Sequence, residues 1–105
     1  MKTFAEILKN LPTVAHLDRV ELTDHEGAEH RIENKPGQAG SLAVYHAIAK
    51  GRDYIDAEAA KLGLELYAEH TADAEANPGK HPNIDRLLRL IEANGRLMLK
   101  FFDHT

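Results

Sequence analysis

The chain has 105 residues, with 13 basic and 17 acidic side chains, a formal net charge of −4 at pH 7 and no cysteine. This length allows one domain with a core of its own, because a second domain would leave each half near the size at which cores are no longer self-sufficient. The lack of cysteine excludes disulfides, zinc–thiolate sites and thiol catalysis, and the negative charge without a Lys/Arg run argues against nucleic acid as a partner.

The N-terminal part of the chain predicts a helix followed by a β-hairpin. Apolar residues at helical spacing predict an amphipathic helix over residues 3–11, which the next proline ends. Alternating apolar residues then predict strands over 17–23 and 28–33. Between them, Asp24 at the first position and Gly27 at the last position are typical of a type I turn. The hairpin is therefore expected to have one apolar and one polar face.

The segment ENKPGQAGS connects the hairpin to a second predicted helix, which Ser41 would cap and Gly51 would end. Gly37 and Gly40 bring the chain to the N-terminus of this helix, where free amides, the helix dipole and Lys35 could hold a phosphate or a carboxylate. The segment lacks the pattern of a P-loop or of a dinucleotide site, and a tight connection alone also explains both glycines. Lys35, Gly37, Gly40 and Ser41 are therefore candidate anion-binding residues with a structural alternative.

Residues 57–76 carry conflicting signals. Alternating apolar residues over 64–69 are consistent with a strand, which would place His70 at a strand's carboxyl end, a favoured place for ligands in open sheets. Alanine and leucine at helical spacing and the lack of β-branched residues over most of the segment favour a helix. We predict one continuous helix over 57–76, capped by Asp56 and ended by the Pro-Gly pair that follows.

A further helix and a strand complete the predicted elements. Apolar residues at helical spacing predict a helix that begins at Pro82 or Asn83 and ends at Gly95. The run RLMLKFFD predicts an apolar strand over 96–102, which must pair with the hairpin, with a second copy of itself, or with both. The predicted fold class is α+β: a small antiparallel sheet, made of the N-terminal hairpin and the C-terminal strand, packed with about four helices in a single domain over 1–105.

A homodimer is the predicted assembly. Three strands leave at least one edge exposed, and the predicted helices are short for covering both the apolar hairpin face and the C-terminal phenylalanines. A well-packed monomer is the alternative. The apolar runs are shorter than the ~20 residues needed to span a bilayer, and charged residues near the start argue against a secretion signal. We therefore expect a cytoplasmic protein without a membrane partner.

The stretch EHTADAEANPGKHPNIDRLL is the main candidate for a functional site. His70 and Asp73 would share one side of their helix, and the Pro-Gly turn would return His81 and Asp85 to their neighbourhood. Two imidazoles and one or two carboxylates suit a divalent transition metal such as Zn²⁺, Mn²⁺ or Fe²⁺, with Glu69 as general base. The spacing matches no established metal signature, and a polar hinge between two helices explains the same residues.

His46, on the second predicted helix, could connect the two candidate regions. If its side chain points inward, it meets His70, and both regions then share one pocket. A partly buried histidine that is hydrogen-bonded to the backbone is the more common arrangement for a single helical histidine.

The blocks ENKPGQAGSLAVY, LELYAEHTADA and HPNIDRLL are similar to a family of small proteobacterial proteins known as a conserved domain of unknown function. The similarity runs over nearly the whole chain. It implies a bacterial cytoplasmic setting, and it assigns no reaction, ligand or residue role.

Two functions follow from the residues themselves. The first is a small cytoplasmic binding or regulatory module of unknown ligand that acts as a homodimer. The alternative is a small metal-dependent enzyme, of hydrolase or isomerase type, that uses the His/Asp/Glu cluster between residues 69 and 85. We favour the first, because a pocket for an organic substrate normally needs more apolar lining than this stretch, with the single aromatic Tyr67, supplies.

Overall fold

A computed structural model describes residues 2–104 of the chain. In this range the elements follow in the order α1 (Phe4–Leu8), β1 (Leu17–Thr23), β2 (Glu29–Glu33), α2 (Ala39–Ala49), β3 (Tyr54–Ile55), α3 (Ala57–Tyr67), α4 (Glu69–Ala76), α5 (Pro82–Ala93) and β4 (Leu97–Asp103). The predicted α+β class is confirmed, with one helix more than expected and a short strand, β3, that the sequence analysis missed. None of the helices in residues 2–104 is long and apolar enough to cross a membrane.

The strands form one antiparallel sheet in the order β2-β1-β4-β3. β1 and β2 pair as the predicted hairpin, with Val20 opposite Ile32, and β4 pairs with the other side of β1, with Val20 opposite Phe101. β3 pairs with the start of β4, where Tyr54 lies opposite Met98. The C-terminal strand thus pairs with the hairpin, as expected, and β3 pairs with its other edge only at Leu97 and Met98.

The two faces of the sheet differ in burial. Along β1 and β4, buried residues alternate with half-buried or exposed ones. Val20 and Leu99 point into the core, where they are 0% and 7% exposed. The opposite side, here called the open face, carries Arg19, Phe102 and Met98, and Met98 is 48% exposed. On this face the Arg19 guanidinium lies 3.9 Å from the centre of the Phe102 ring.

Two helix starts differ from the predictions. α1 is shorter than expected and ends at Leu8; it begins with a capping box between Thr3 and Glu6. Ser41 was predicted as the N-cap of α2, and this is wrong: Gln38 is the N-cap residue, and it makes no side-chain capping bond. The helix begins earlier because the turn around Gly37, which has a φ of +87°, already directs the chain into helical geometry.

The predicted continuous helix over 57–76 is also wrong. Asp56 caps α3 as expected, with Oδ1 accepting from Ala59 N over 2.9 Å, but the helix breaks at Ala68, which has φ of +52° and ψ of −121°. The carbonyl oxygen of Leu64, which would accept from Ala68 N in an unbroken helix, instead accepts from the Thr71 hydroxyl over 2.6 Å. A side chain beyond the break thus supplies the hydrogen bond that the carbonyl of Leu64 loses where the helix breaks.

A glycine inside α3 lets three helices pack closely. A Cβ on Gly63 would lie 2.8 Å from Leu87 Cδ1 on α5 and 3.1 Å from Ile48 Cδ1 on α2. The residue therefore stands where α3 crosses both neighbours, and the close approach offsets its cost of ~1 kcal/mol in helix propensity. At a separate place, the start of α2, the end of α3 and the start of α5 meet at one corner of the molecule.

Candidate functional site

A pocket of about 280 Å³ opens at this corner, between α1, the start of α2, the junction of α3 with α4, and the start of α5. We call it the corner pocket. It is lined by Phe4, Gly37, Gly40, Ser41, Tyr67, His70, His81, Asn83 and Ile84. Most of the residues predicted for an anion site and two of those predicted for a metal site therefore line one cavity.

His46 does not make the connection that the sequence allowed. Its ring lies against His16, at 5.9 Å between centroids, and against Phe101, at 5.5 Å. The two candidate regions meet instead because α2 begins beside the break between α3 and α4. At that point Tyr67 O–H donates to Ser41 Oγ over 2.7 Å.

His81 and Asp73 form the shortest contact in the predicted metal cluster. His81 Nε2 lies 2.7 Å from Asp73 Oδ2, and Lys80 Nζ lies 2.9 Å from the same oxygen. The hydrogen bond from His81 and then that from Lys80 lower the pKa of Asp73 to about 2. Asp73 is therefore ionised at neutral pH, and it orients the imidazole of His81 at the edge of the pocket.

His70 faces the same opening from α4. Its ring centroid lies 5.6 Å from that of His81 and 5.2 Å from that of Phe4, whose edge it meets. The two imidazoles are thus neighbours, as predicted. Within residues 2–104, however, no group of three or more His, Cys, Asp or Glu side chains is arranged to hold a metal ion.

The other two predicted acidic residues have structural partners and do not line the pocket. Glu69 Oε1 accepts from Phe4 N over 2.8 Å, a bond that ties α1 to the start of α4 and lowers the pKa of Glu69. Asp85 Oδ2 accepts from Gly79 N over 2.9 Å and so closes the turn before α5. Glu69 was the candidate general base, and it lies outside the lining that a ligand would contact.

The predicted anion-binding residues separate into two groups. Lys35 turns back toward the hairpin, where its Nζ lies 2.7 Å from Glu33 Oε2, and it does not line the pocket. Gly37, Gly40 and Ser41 do line it. A Cβ on Gly40 would lie 3.3 Å from the Phe4 ring, so this glycine lets the aromatic ring approach the start of α2.

Sequence reasoning missed three residues of the lining, Phe4, Asn83 and Ile84, and it named Tyr67 only as the single aromatic residue of the region. Phe4 reaches the pocket from a helix far away in sequence and stacks on Tyr67, with 5.4 Å between ring centroids. Asn83 could have been suspected, because it follows Pro82 in the first turn of α5, where side chains commonly carry polar contacts. Nothing in the sequence indicates that Phe4 lines a pocket, because it is one of several apolar residues at the spacing of an ordinary amphipathic helix.

Behind the pocket lies a buried polar group centred on Arg86. The Tyr45 hydroxyl donates to the carbonyl oxygen of Asn83 over 2.6 Å, and burial raises the pKa of Tyr45 to about 12. Arg86 Nη1 donates to Asn83 Oδ1 over 2.8 Å and to the Tyr45 hydroxyl over 3.2 Å. Asn83 is thus held from two sides at the inner wall of the pocket.

Comparison with curated proteins finds no match, and comparison with solved structures finds none either. A family model does match, over residues 4–101, which is nearly the whole chain. This match confirms the resemblance that the three sequence blocks indicated, to a family of bacterial proteins without an assigned function. The chain belongs to the family described as "Uncharacterized protein conserved in bacteria (DUF2322)".

Proposed function

We propose that this protein is a small binding module whose ligand occupies the corner pocket. One observation carries the proposal: two polar regions far apart in sequence, around Ser41 and around His70, converge on a single cavity of about 280 Å³. Ligand pockets typically combine apolar walls with a few convergent polar groups and have volumes of ~300–1,000 Å³. The corner pocket is near the lower end of that range, so its ligand is a compound of metabolite size.

The lining supplies both kinds of contact. Phe4 and Ile84 provide apolar surface, and the imidazoles of His70 and His81 provide groups that donate or accept a hydrogen bond according to their protonation. The sequence analysis had counted one aromatic residue in this region. The contribution of Phe4 from α1 removes the main argument against a pocket for an organic ligand.

Backbone strain beside the pocket supports the proposal. Ala68, with φ of +52° and ψ of −121°, holds a conformation that normally needs glycine and costs on the order of 1–3 kcal/mol in other residues. Such strained residues cluster at ligand sites, where the surrounding structure enforces them. Here the strain separates Tyr67 from His70, and it turns both side chains toward the same cavity.

Fragment screening by NMR tests the proposal. We expect ¹⁵N-labelled protein, titrated with a mixed library of small polar and aromatic fragments, to show ligand-dependent shifts at the amides of Gly40, Ser41 and His70. The variant His70→Ala should weaken these interactions, while His104→Ala, which removes another exposed imidazole far from the pocket lining, should not. Hits that cluster on the open face, with no shifts around the pocket, would contradict the proposal.

A metal-dependent enzyme is not put forward as a second function. Asp73 is already shared by His81 and Lys80, and residues 2–104 contain no group arranged to hold a metal. The measurement that would reverse this choice is elemental analysis of untagged protein. Near-stoichiometric zinc, manganese or iron that is lost in His81→Ala would restore the enzyme hypothesis.

The homodimer also stays a proposal, and what supports it is the open face. Met98 is 48% exposed there, and the half-buried Phe102 lies four residues further along the same strand, with the exposed Lys100 between them. We expect light scattering over a dilution series to show a dimer that dissociates at low concentration. The substitution Met98→Lys should shift the protein toward monomer, and a strict monomer at every concentration would contradict this expectation. A cytoplasmic location likewise stays a prediction from the sequence.

A further inference from the structure

Arg86 is a buried cation behind the corner pocket. The residue is 7% exposed, and its buried Nε has no hydrogen-bond partner in the part of the chain that the structure describes. Within residues 2–104, its hydrogen bonds go to two neutral oxygens, the Tyr45 hydroxyl and Asn83 Oδ1. A buried cation is normally paired with a carboxylate, because removing an unpaired charge from water is costly. Arg86 reaches the wall of the corner pocket through Asn83, and it also borders a separate small cavity that is lined in part by Asp24 and Glu26.

Asn83 connects this charge to the pocket. A guanidinium only donates hydrogen bonds, so the side-chain atom of Asn83 that faces Arg86 is the oxygen, at 2.8 Å from Nη1. The backbone oxygen of Asn83 is also occupied, because it accepts from the Tyr45 hydroxyl over 2.6 Å. Both acceptors of Asn83 thus point inward, and the group that it can offer to a ligand is the donor Nδ2.

Ser41 offers a donor in the same way. Tyr67 O–H donates to Ser41 Oγ over 2.7 Å. Burial raises the pKa of Tyr67, so the phenol keeps the proton that it donates. Since the serine oxygen already accepts this bond, the hydroxyl hydrogen of Ser41 is available to an acceptor in the pocket.

His81 lines the pocket without adding a carboxylate to it. The ionised Asp73, whose Oδ2 lies 2.7 Å from His81 Nε2, accepts from that nitrogen and orients the ring, and Asp73 is not among the lining residues. No aspartate or glutamate is among the residues that line the pocket. A ligand group that only accepts hydrogen bonds therefore meets no repelling carboxylate in the lining.

We propose that the ligand of the corner pocket carries an anionic group, a carboxylate or a phosphate, which accepts hydrogen bonds from Asn83 Nδ2 and the Ser41 hydroxyl. Arg86 supplies the buried positive charge behind Asn83. The stacked rings of Phe4 and Tyr67 form an apolar wall for a flat organic part of the same ligand. This inference rests on the proposed binding function and names the class of compound that the pocket selects.

The test compares four probes of similar shape and different charge. Benzoate and phenyl phosphate carry the two anionic groups, benzamide is a neutral counterpart, and benzylammonium is a cation. Each is titrated to about 10 mM into the ¹⁵N-labelled full chain, a range that measures millimolar dissociation constants. We expect the anions to shift the side-chain amide of Asn83 and the amides of Gly40 and Ser41, and at least one of them to bind about tenfold more tightly than benzamide.

Asn83→Asp is the decisive variant, because it replaces the donors with a carboxylate that can pair with Arg86 and so preserves the fold. It should lower the affinity for the anions about tenfold or more, and the affinity for benzamide much less, because the new carboxylate does not repel a neutral amide. Asn94→Asp is the matched control. It adds the same charge at the other end of α5, where Asn94 ends the helix, and it should leave every affinity unchanged.

The outcomes separate the two proposals. If benzamide or benzylammonium binds the pocket as tightly as the anions, the anionic class is wrong while the binding function stands. The anion proposal also fails if neither anion binds the pocket in this range, or if Asn83→Asp binds the anions unchanged. Failure of the binding function itself shows separately, as a broad fragment library that gives no shifts at the corner pocket.

Discussion

Two pairs of histidines in this protein have similar spacing and opposite surroundings. The ring centroids of His70 and His81 are 5.6 Å apart, and those of His16 and His46 are 5.9 Å apart. The first pair lines an open cavity at the junction of several helices. The second pair lies where α2 packs on the end of β4, against the ring of Phe101.

The polar contacts of the two pairs differ as well. His81 bonds the ionised Asp73 over 2.7 Å and is thereby oriented. The buried Nδ1 of His46 has no hydrogen-bond partner among the described residues, 2–104. Burial, followed by the neighbouring His16, lowers the pKa of His46. The comparison teaches that the distance between two imidazoles does not define a site. A cavity and an orienting carboxylate distinguish the pair that we propose to contact a ligand from the pair that packs in the interior.

The largest expected effect comes from removing the aromatic ring beside each pair. Phe101→Ala should lower the free energy of unfolding by about 2–3 kcal/mol, somewhat less than a fully buried phenylalanine, because the ring packs on the core next to His46. It should leave ligand affinity at the corner pocket unchanged. Phe4→Ala should lower the free energy of unfolding by less than Phe101→Ala does, and it should weaken ligand binding at the corner pocket. Urea denaturation and fragment titration measure both effects, and equal losses of binding in the two variants would remove the distinction.

The second prediction concerns the strain that separates the two regions. Ala68→Gly should raise the free energy of unfolding by about 1 kcal/mol, because glycine adopts the observed φ of +52° without a Cβ clash. The matched control is Ala72→Gly, an exposed position inside α4, which should lower stability by about 1 kcal/mol. A loss of stability in both variants would show that Ala68 is not strained.

The third prediction uses pH to separate the pairs. The lowered pKa of His46 means that the unfolded chain binds this proton more readily than the folded chain. The folded state therefore keeps its full stability above the unfolded pKa of His46, ~6.5. It loses stability as pH falls from there through the lower pKa of His46 in the folded state. His46→Leu should stabilise the protein, and more at pH ~5 than at pH ~8, because it also removes a buried unpaired nitrogen. Denaturation midpoints at both pH values test this, with His70→Leu as the control that should show no such gain.

The smallest effect is expected at the other pair. Asp73 has its pKa lowered to about 2, chiefly by the hydrogen bond from His81, so the folded state binds its proton less readily than the unfolded state. The stabilisation is present above the unfolded pKa of ~3.9 and is lost as pH falls through the folded value. Asp73→Asn should flatten the acid limb of the stability curve between pH ~4 and ~2, by a modest amount because the pair is exposed to solvent. An acid limb identical to that of Asp53→Asn, an exposed control, would contradict the assignment.

Much of the local structure could be predicted from the residues because short-range rules determined it. The hairpin turn at Asp24–Gly27 forms as expected, with Gly27 N donating to the carbonyl oxygen of Asp24 over 2.9 Å. The start of α5 at Pro82 and its end near Gly95 also follow the prediction. Strand β3 was missed because two residues are too few to show alternation, and it exists through its pairing with β4.

Several residues of the candidate site could be predicted from the sequence, but the way in which they are arranged around one pocket could not. His70, His81 and the glycines of the connection before α2 were identified, because their residue types are unusual for ordinary polar surface. The break at Ala68 was not identified, since alanine is the strongest helix former. It is stabilised by the Thr71 hydroxyl on Leu64 and by docking of α1, in which Glu69 accepts from Phe4 N over 2.8 Å. Rules that use only neighbouring residues cannot predict a contact between two residues so far apart in the chain.

The sequence by itself determined the fold class, the hairpin, the capping of α3 by Asp56 and the apolar strand that needed partners, because periodicity and turn chemistry act over a few residues. The tertiary structure alone decided that Phe4 lines the pocket, that Ser41 bonds Tyr67 instead of capping α2, and that Arg86 is buried without a bonded carboxylate among residues 2–104. These features depend on which helix faces meet in space. Packing of the whole chain selects those contacts, and it overrides local preference where the two conflict.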